Sequence, residues 1–229
     1  MFKSNLIIAV AALSIALSAP GMAGKRSAVP VLSDVEAEDL LFMREEEKLA
    51  RDVYAELYRH YKDQGVEMLI FANIAASEQL HMDAMLRLLD KYRLDDPAEN
   101  AEPGEFDNPV LADLFDNLVS ESEDNVPVLN EPSIGGKFDL EYGLRVGAWI
   151  EERDMIDILH AIDNTNRADI VGVYTNLLCG SREHLRAFVK HLGGADYMPQ
   201  LLHLESDGDV PVIETLDYWI SDASNEICL

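Results

Sequence analysis

Glu47, Glu78, His81, Glu151, Asp154 and His184 are the residues of this chain whose types and spacing could do chemistry. Glu78 and His81 stand one helical turn apart on a common face, so a carboxylate and an imidazole can reach the same point. Glu151-x-x-Asp154 repeats that spacing with two carboxylates, and Ser181-x-x-His184 repeats it with a hydroxyl in place of the acid. Each of these residues falls where helical periodicity asks for an apolar side chain. Carboxylates and imidazoles facing a helical core are costly to bury unless they are paired or bind a cation. Four helical segments that each turn such groups inward point to a metal site in a four-helix bundle.

In carboxylate-bridged bundles, two helices each give a Glu and the other two each give Glu-x-x-His. Here Glu47 and Glu151 can serve as the single carboxylates, and Glu78 with His81 as one full pair. The last segment keeps the histidine, His184, but has Ser181 where the acid is expected. Carboxylate oxygens with two imidazoles suit Fe(II), Mn(II) or Zn(II) better than Ca(II), which takes all-oxygen cages, or Cu(I), which takes thiolates. Glu47, Glu78 and Glu151 supply three negative charges, and Asp154 can supply a fourth, so either one ion or two can be accommodated. The metal-free alternative is a buried, hydrogen-bonded Glu/His network that fixes bundle register.

The elements that must position these groups are legible in the pattern. Ser33-Asp34-Val35-Glu36 reads as a capping box opening a helix that runs to about Lys62. Its inward stripe is Leu40, Met43, Glu47, Ala50, Tyr54, Leu57 and Tyr61, and Gln64-Gly65 ends it. A second helix spans about Met68 to Tyr92, with Ile74, Glu78, His81, Met85 and Leu88 inward, flanked by Phe71, Leu80 and Leu89. Asp95-Asp96-Pro97 is expected to stop it. A connection from Asp96 to about Lys137 follows, holding one short helical piece, Val110 to Ser120. It is long enough to restart the chain at the far end of a bundle. The third long helix covers about Leu140 to Ile162 and the fourth about Ala168 to Leu192, closed by Gly193-Gly194. No strand-like alternation, repeat or low-complexity tract is present, so the expected class is all-α.

Of 229 residues, 48% are hydrophobic, enough for a core, while 18 Lys+Arg against 43 Asp+Glu give a formal charge of −25. Such a balance argues against nucleic acid as a partner and suits acidic solvated surfaces or attraction of cations. Residues 1–23 resemble a signal peptide: Lys3, an apolar Leu6 to Leu17, then Gly21-Met22-Ala23. The expectation is an exported protein, periplasmic or secreted, without stable membrane insertion after cleavage. A linker (24–35), a bundle (36–195) and an irregular C-terminal arm (196–229) complete the organisation. Cys179 and Cys228 can pair in an oxidising compartment or remain free thiols. They cannot build a four-thiolate iron centre, and neither sits in a Cys-x-x-Cys motif.

Glu47-Lys48-Leu49-Ala50-Arg51-Asp52-Val53-Tyr54 resembles the Glu-x-x-Ala-Arg-x-x-Tyr pattern of rubrerythrin-type ferritin-like proteins. Glu78-Gln79-Leu80-His81 is similar to their second-helix pair, and Glu151-x-x-Asp154 to their third-helix carboxylates. The runs Met43 to Tyr54, Ser77 to Ala84, Gly147 to Leu159 and Gly180 to Phe188 resemble, more closely, a family of ferritin-like domains of unknown function. The resemblance covers roughly residues 36–200. It implies a ferritin-like four-helix bundle with a long crossover between its second and third helices. It also implies a metal site at Glu47, Glu78, His81, Glu151 and His184, and assigns no activity.

Iron, one or two ions, is the leading cofactor, with manganese or zinc as alternatives, and O2 or H2O2 the expected co-reactants of a ferroxidase- or peroxidase-type oxidoreductase. A non-catalytic metal-sequestering bundle and a structural or interaction protein are the competing readings. Glu151 is preferred to Glu152 because it continues the Leu144, Gly147, Asp154, Ile158 stripe. Glu45 and Glu46 are expected on a solvated face, and His60, His160, His191 and His203 at the surface or boundary. Met82 and Met85 are read as core filler. Tyr54 and Tyr174 face inward, with their hydroxyls satisfied or beside a metal. Oligomeric state is left open.

Overall fold

Ser33 opens the first helix as its sequence requires: its hydroxyl accepts the Glu36 N–H at 3.2 Å, and the Glu36 carboxylate accepts the Ser33 N–H at 2.8 Å. This computed structural model describes residues 31–119, 139–193, 197 and 228. Among them are five helices and no strand: α1 (Asp34–Asp63), α2 (Leu69–Tyr92), α3 (Pro109–Val119), α4 (Leu140–Asp163) and α5 (Ala168–His191). The expected signal peptide, most of the linker and nearly all of the C-terminal arm, including His203, lie outside the described residues. No helix among the described residues is long and apolar enough to cross a membrane.

Helix ends follow local chemistry. Gln64 caps α1 and Gly65, at φ +81°, turns the chain away, a conformation that glycine adopts without steric cost. α2 ends at Arg93, which takes the left-handed conformation at φ 61° before the Asp95-Asp96-Pro97 sequence is reached. Asp96 instead ties the following connection to α1, accepting from both Nε and Nη2 of Arg44 at 2.9 and 2.8 Å. Asp139 caps α4 by accepting the Tyr142 N–H at 2.7 Å.

α1 packs on α2, and α4 on α5; α1 also touches α4, α2 touches α5, and α3 lies on α1. The core between them is built from Leu40, Tyr54, Leu57, Phe71, Met85, Ile158, Leu185 and Phe188, with others like them, all buried. Gly147 allows the α4–α5 contact: a Cβ there would lie 2.8 Å from Phe188 Cδ1. Burying each large apolar side chain contributes roughly 1.5–3 kcal/mol relative to exposure, which offsets the cost of the polar groups held in the same interior. Cys179 and Cys228 form a disulfide, with Cα atoms 5.6 Å apart, that fastens residue 228 to α5.

α1 departs from the sequence expectation in one respect. Every residue from Met43 to Ala50 is buried, including Arg44, Glu45, Glu46 and Lys48. The cause is the connection between α2 and α4, which covers the face that α1 was expected to show to solvent. Lys48 Nζ donates to Asp52 at 2.6 Å and to the Glu102 carbonyl at 2.8 Å, and lies over the Phe106 ring. Asp52 accepts the Gly104 N–H at 3.0 Å. The Glu45 carboxylate accepts the N–H groups of Asp107 and Asn108 at 2.6 and 3.1 Å, just ahead of α3. Glu46 points elsewhere, toward Arg153 of α4.

Candidate metal centre

Two groups of side chains meet where α1, α2, α4 and α5 face one another. Glu47, Glu78 and His81 form one, and Glu78, Glu151 and His184 the other. In each group the three ligand atoms lie within 4.8 Å of one another, so each could hold a metal ion. Glu78 belongs to both. One of its oxygens lies 2.7 Å from His81 Nδ1 and the other 2.7 Å from His184 Nδ1. His81 Nδ1 is also 3.1 Å from Glu47 Oε2, and His184 Nδ1 is 3.5 Å from Glu151 Oε2. The arrangement is a row, carboxylate–imidazole–carboxylate–imidazole–carboxylate, with Glu78 at its midpoint. The two imidazoles stack with ring centroids 5.5 Å apart.

Neighbouring residues fix these side chains. Tyr54 donates its hydroxyl to Glu151 Oε1 at 2.6 Å, and His184 Nε2 meets Ser77 Oγ at 2.9 Å. Outer contacts of this kind set ring orientation and free the other nitrogen for a ligand. Arg51 Nη1 donates to Gln79 Oε1 at 2.7 Å, joining α1 to α2 beside Glu78. Gly180 makes room for His81: a Cβ at that position would lie 2.6 Å from His81 Cε1. Tyr54 lies on the inward stripe that the sequence marks. Ser77 and Gly180 open two of the runs that carry the family resemblance, but their roles are not legible there, because they depend on how α2 and α5 approach.

Asp154 stands apart from both groups. Its Oδ2 accepts the hydroxyl of Ser181, which makes a second bond to the Leu177 carbonyl at 3.0 Å. Its Oδ1 has no hydrogen-bond partner among the described residues. Glu152 turns away from the row and accepts the Tyr197 hydroxyl, so Glu151 is the acid of that pair that reaches His184.

The electrostatics are those of a cluster that holds protons in place of cations. Burial pushes the Glu47 carboxyl up to about 8 and that of Glu151 up to about 7. Burial acts on Glu78 in the same direction, but the His184 and His81 cations overcome it and hold Glu78 at about 2. Burial disfavours the charged imidazoles, yet Glu47 and Glu78 hold His81 at about 12, and Glu151 and Glu78 hold His184 at about 10. Asp154 is raised well above the ordinary carboxyl range by burial and by the charges of Glu47, Glu46 and Glu151.

A divalent cation fits what the side chains leave unsatisfied. His184 Nδ1 and Glu78 Oε1 approach to 2.7 Å without the geometry of a hydrogen bond, and both are orphaned, as is Glu47 Oε1. Buried polar atoms without partners are rare and call for an explanation such as an ion. A donor set of carboxylate oxygens and imidazole nitrogens matches Fe(II), Mn(II) or Zn(II).

Residues 36–210 match the family described as "Uncharacterized protein domain (DUF2202)", and the chain belongs to that family. It is 44% identical over 176 residues to "Uncharacterized protein MJ0754" of the archaeon Methanocaldococcus jannaschii, covering 76% of this chain and 85% of that one. The crystal structure of hypothetical protein MJ0754 superposes with a TM-score of 0.64 at 43% identity, over 75% of this chain and 88% of that chain.

Proposed function

We propose that this chain is an exported ferritin-like metalloprotein whose α1, α2, α4 and α5 form a four-helix bundle, with α3 inside a long crossover. Iron, as one ion or two, is held by Glu47, Glu78, His81, Glu151 and His184. The observation that carries this reading is the pair of three-ligand groups sharing Glu78, with orphaned ligand atoms facing one another. Glu78 would bridge, Glu47 and Glu151 would close the two ends, and the histidines would serve as neutral donors. Iron bound there would supply redox chemistry with O2 or H2O2, of the ferroxidase or peroxidase type. The protein's part is to orient the ligands through Tyr54 and Ser77 and to give up the protons that occupy the imidazoles.

A specific observation favours a second reading, in which the bundle sequesters metal without turnover. Ser181 stands where a fourth helix would give a carboxylate, and it engages Asp154 instead of the row. Substituting Glu78→Gln and His81→Ala separates the readings, with metal content and Fe(II) oxidation followed by absorbance. Joint loss of metal and oxidation supports the redox protein. Loss of metal where the parent shows no oxidation supports sequestration, and unchanged metal content refutes the site.

A further inference from the structure

Beside the metal centre runs a second set of acids that the ligand row does not use. On α4, Glu151, Asp154 and Asp157 follow at three-residue steps, each rising ~4.5 Å and rotating off the inward face. Glu151 and Asp154 are buried, whereas the Asp157 side chain is 26% exposed. On α1, Glu46 precedes Glu47 and turns toward Arg153 and Asp157 of α4. Asp154 lies in the field of Glu47 and Glu46, and the carboxyls of Glu46 and Asp157 meet.

Each of the four acids from centre to boundary carries a buried oxygen with no hydrogen-bond partner among the described residues: Glu47 Oε1, Asp154 Oδ1, Glu46 Oε2 and Asp157 Oδ2. Glu46, Glu47 and Asp154 are all at least nine-tenths buried. At the outer end sits a cation. Arg153 Nε lies 3.1 Å from Glu46 Oε1 and 3.4 Å from Asp157 Oδ2, with 27% of its side chain exposed. Its guanidinium occupies the place that a cation arriving from solvent would take.

The geometry points to an entry route for divalent metal, from Asp157 and Glu46 at the mouth past Asp154 to Glu47, with Arg153 as a tethered cation that the incoming ion displaces. This rests on the proposed metal centre and adds to it a path and a gate. Successive acids, each with an oxygen outside any hydrogen bond, let an ion exchange ligands stepwise. Glu46 and Asp157 already hold one cation at the boundary, the Arg153 guanidinium, and would draw a metal ion to the same place.

The test is the rate of Co(II) uptake by the metal-free full chain, followed by stopped-flow visible absorbance, with the final stoichiometry measured on the same samples. The Glu46→Gln, Asp157→Asn double variant should load roughly tenfold more slowly, and Arg153→Gln should load faster, both to the parent's stoichiometry. Parent-like rates in both variants would overturn the route while leaving the metal centre standing. Loss of bound Co(II) in the double variant would make these acids ligands and overturn it too. No uptake by the parent protein would remove the centre and the route together. Should the double variant fail to fold by circular dichroism, Arg153→Gln alone decides, because an unchanged rate there refutes the gate.

Discussion

Metal loading at neutral pH should expel protons in a number set by the cluster itself. In the metal-free chain, His81 and His184 are held as cations to about 12 and about 10. Glu47 and Glu151 titrate at about 8 and about 7, and Glu78 is ionised above about 2. Ligation needs neutral imidazoles and ionised carboxylates, so at pH 7 filling both groups frees the proton on each histidine together with whatever Glu47 and Glu151 hold. The release is about two protons per chain or more. Titrating Fe(II) or Zn(II) anaerobically into weakly buffered protein with a pH indicator reads this number directly.

The same linkage fixes the sign of the pH dependence. Affinity must fall as pH is lowered from 8 to 6, because protons compete for every ligand except Glu78. In the metal-free chain, the raised His184 contributes stability that is present below the ordinary histidine value of 6.5 and lost as pH rises through about 10. Melting temperature without metal should therefore decline from pH 6.5 toward 10. Release of less than one proton per chain would refute the reasoning, since the cluster would then not be holding imidazolium in place of metal.

Three further outcomes follow from single contacts. Gly180→Ala places a Cβ 2.6 Å from His81 Cε1 and should weaken metal binding by at least roughly tenfold with helical circular dichroism unchanged, as a misplaced ligand does. Tyr54→Phe leaves Glu151 Oε1 without its 2.6 Å donor and should lower stability by about 1–3 kcal/mol in urea unfolding, with weaker metal binding; a parent-like midpoint would contradict this role. Reducing the Cys179–Cys228 disulfide, which spans 49 residues, should cost about 4 kcal/mol by chain entropy and lower the melting temperature. An unchanged melting temperature in reductant would show that the bridge does not constrain the unfolded chain.

The helices and the row of Glu and His side chains are legible in the sequence because both rest on periodicity. Ser33 and Glu36 announce the start of α1, and Glu47, Glu78, Glu151 and His184 interrupt apolar stripes that have no other reason to be interrupted. Glu151 and Glu152 leave the helix in different directions, and it is Glu151 that lies with Glu78 and His184. What could not be read depends on partners distant in sequence. Glu45 and Glu46 look solvated, since a run of charges on one helix does not say that Asp107, Asn108 and Arg153 will cover it. Leu80 was expected to flank the inward stripe of α2 and is 66% exposed, because that stripe is narrower than hydropathy suggested. Asp154 shares the ligand stripe, and only the approach of α5 reveals that Ser181 claims one of its oxygens.

The central claim is that the shared Glu78 row holds metal. Protein loaded anaerobically with Fe(II), dialysed and assayed for iron per chain tests it most directly. One or two retained ions, lost in Glu78→Gln, are the expected result. Protein that emerges free of iron, and equally free of manganese and zinc when loaded with those, would contradict it.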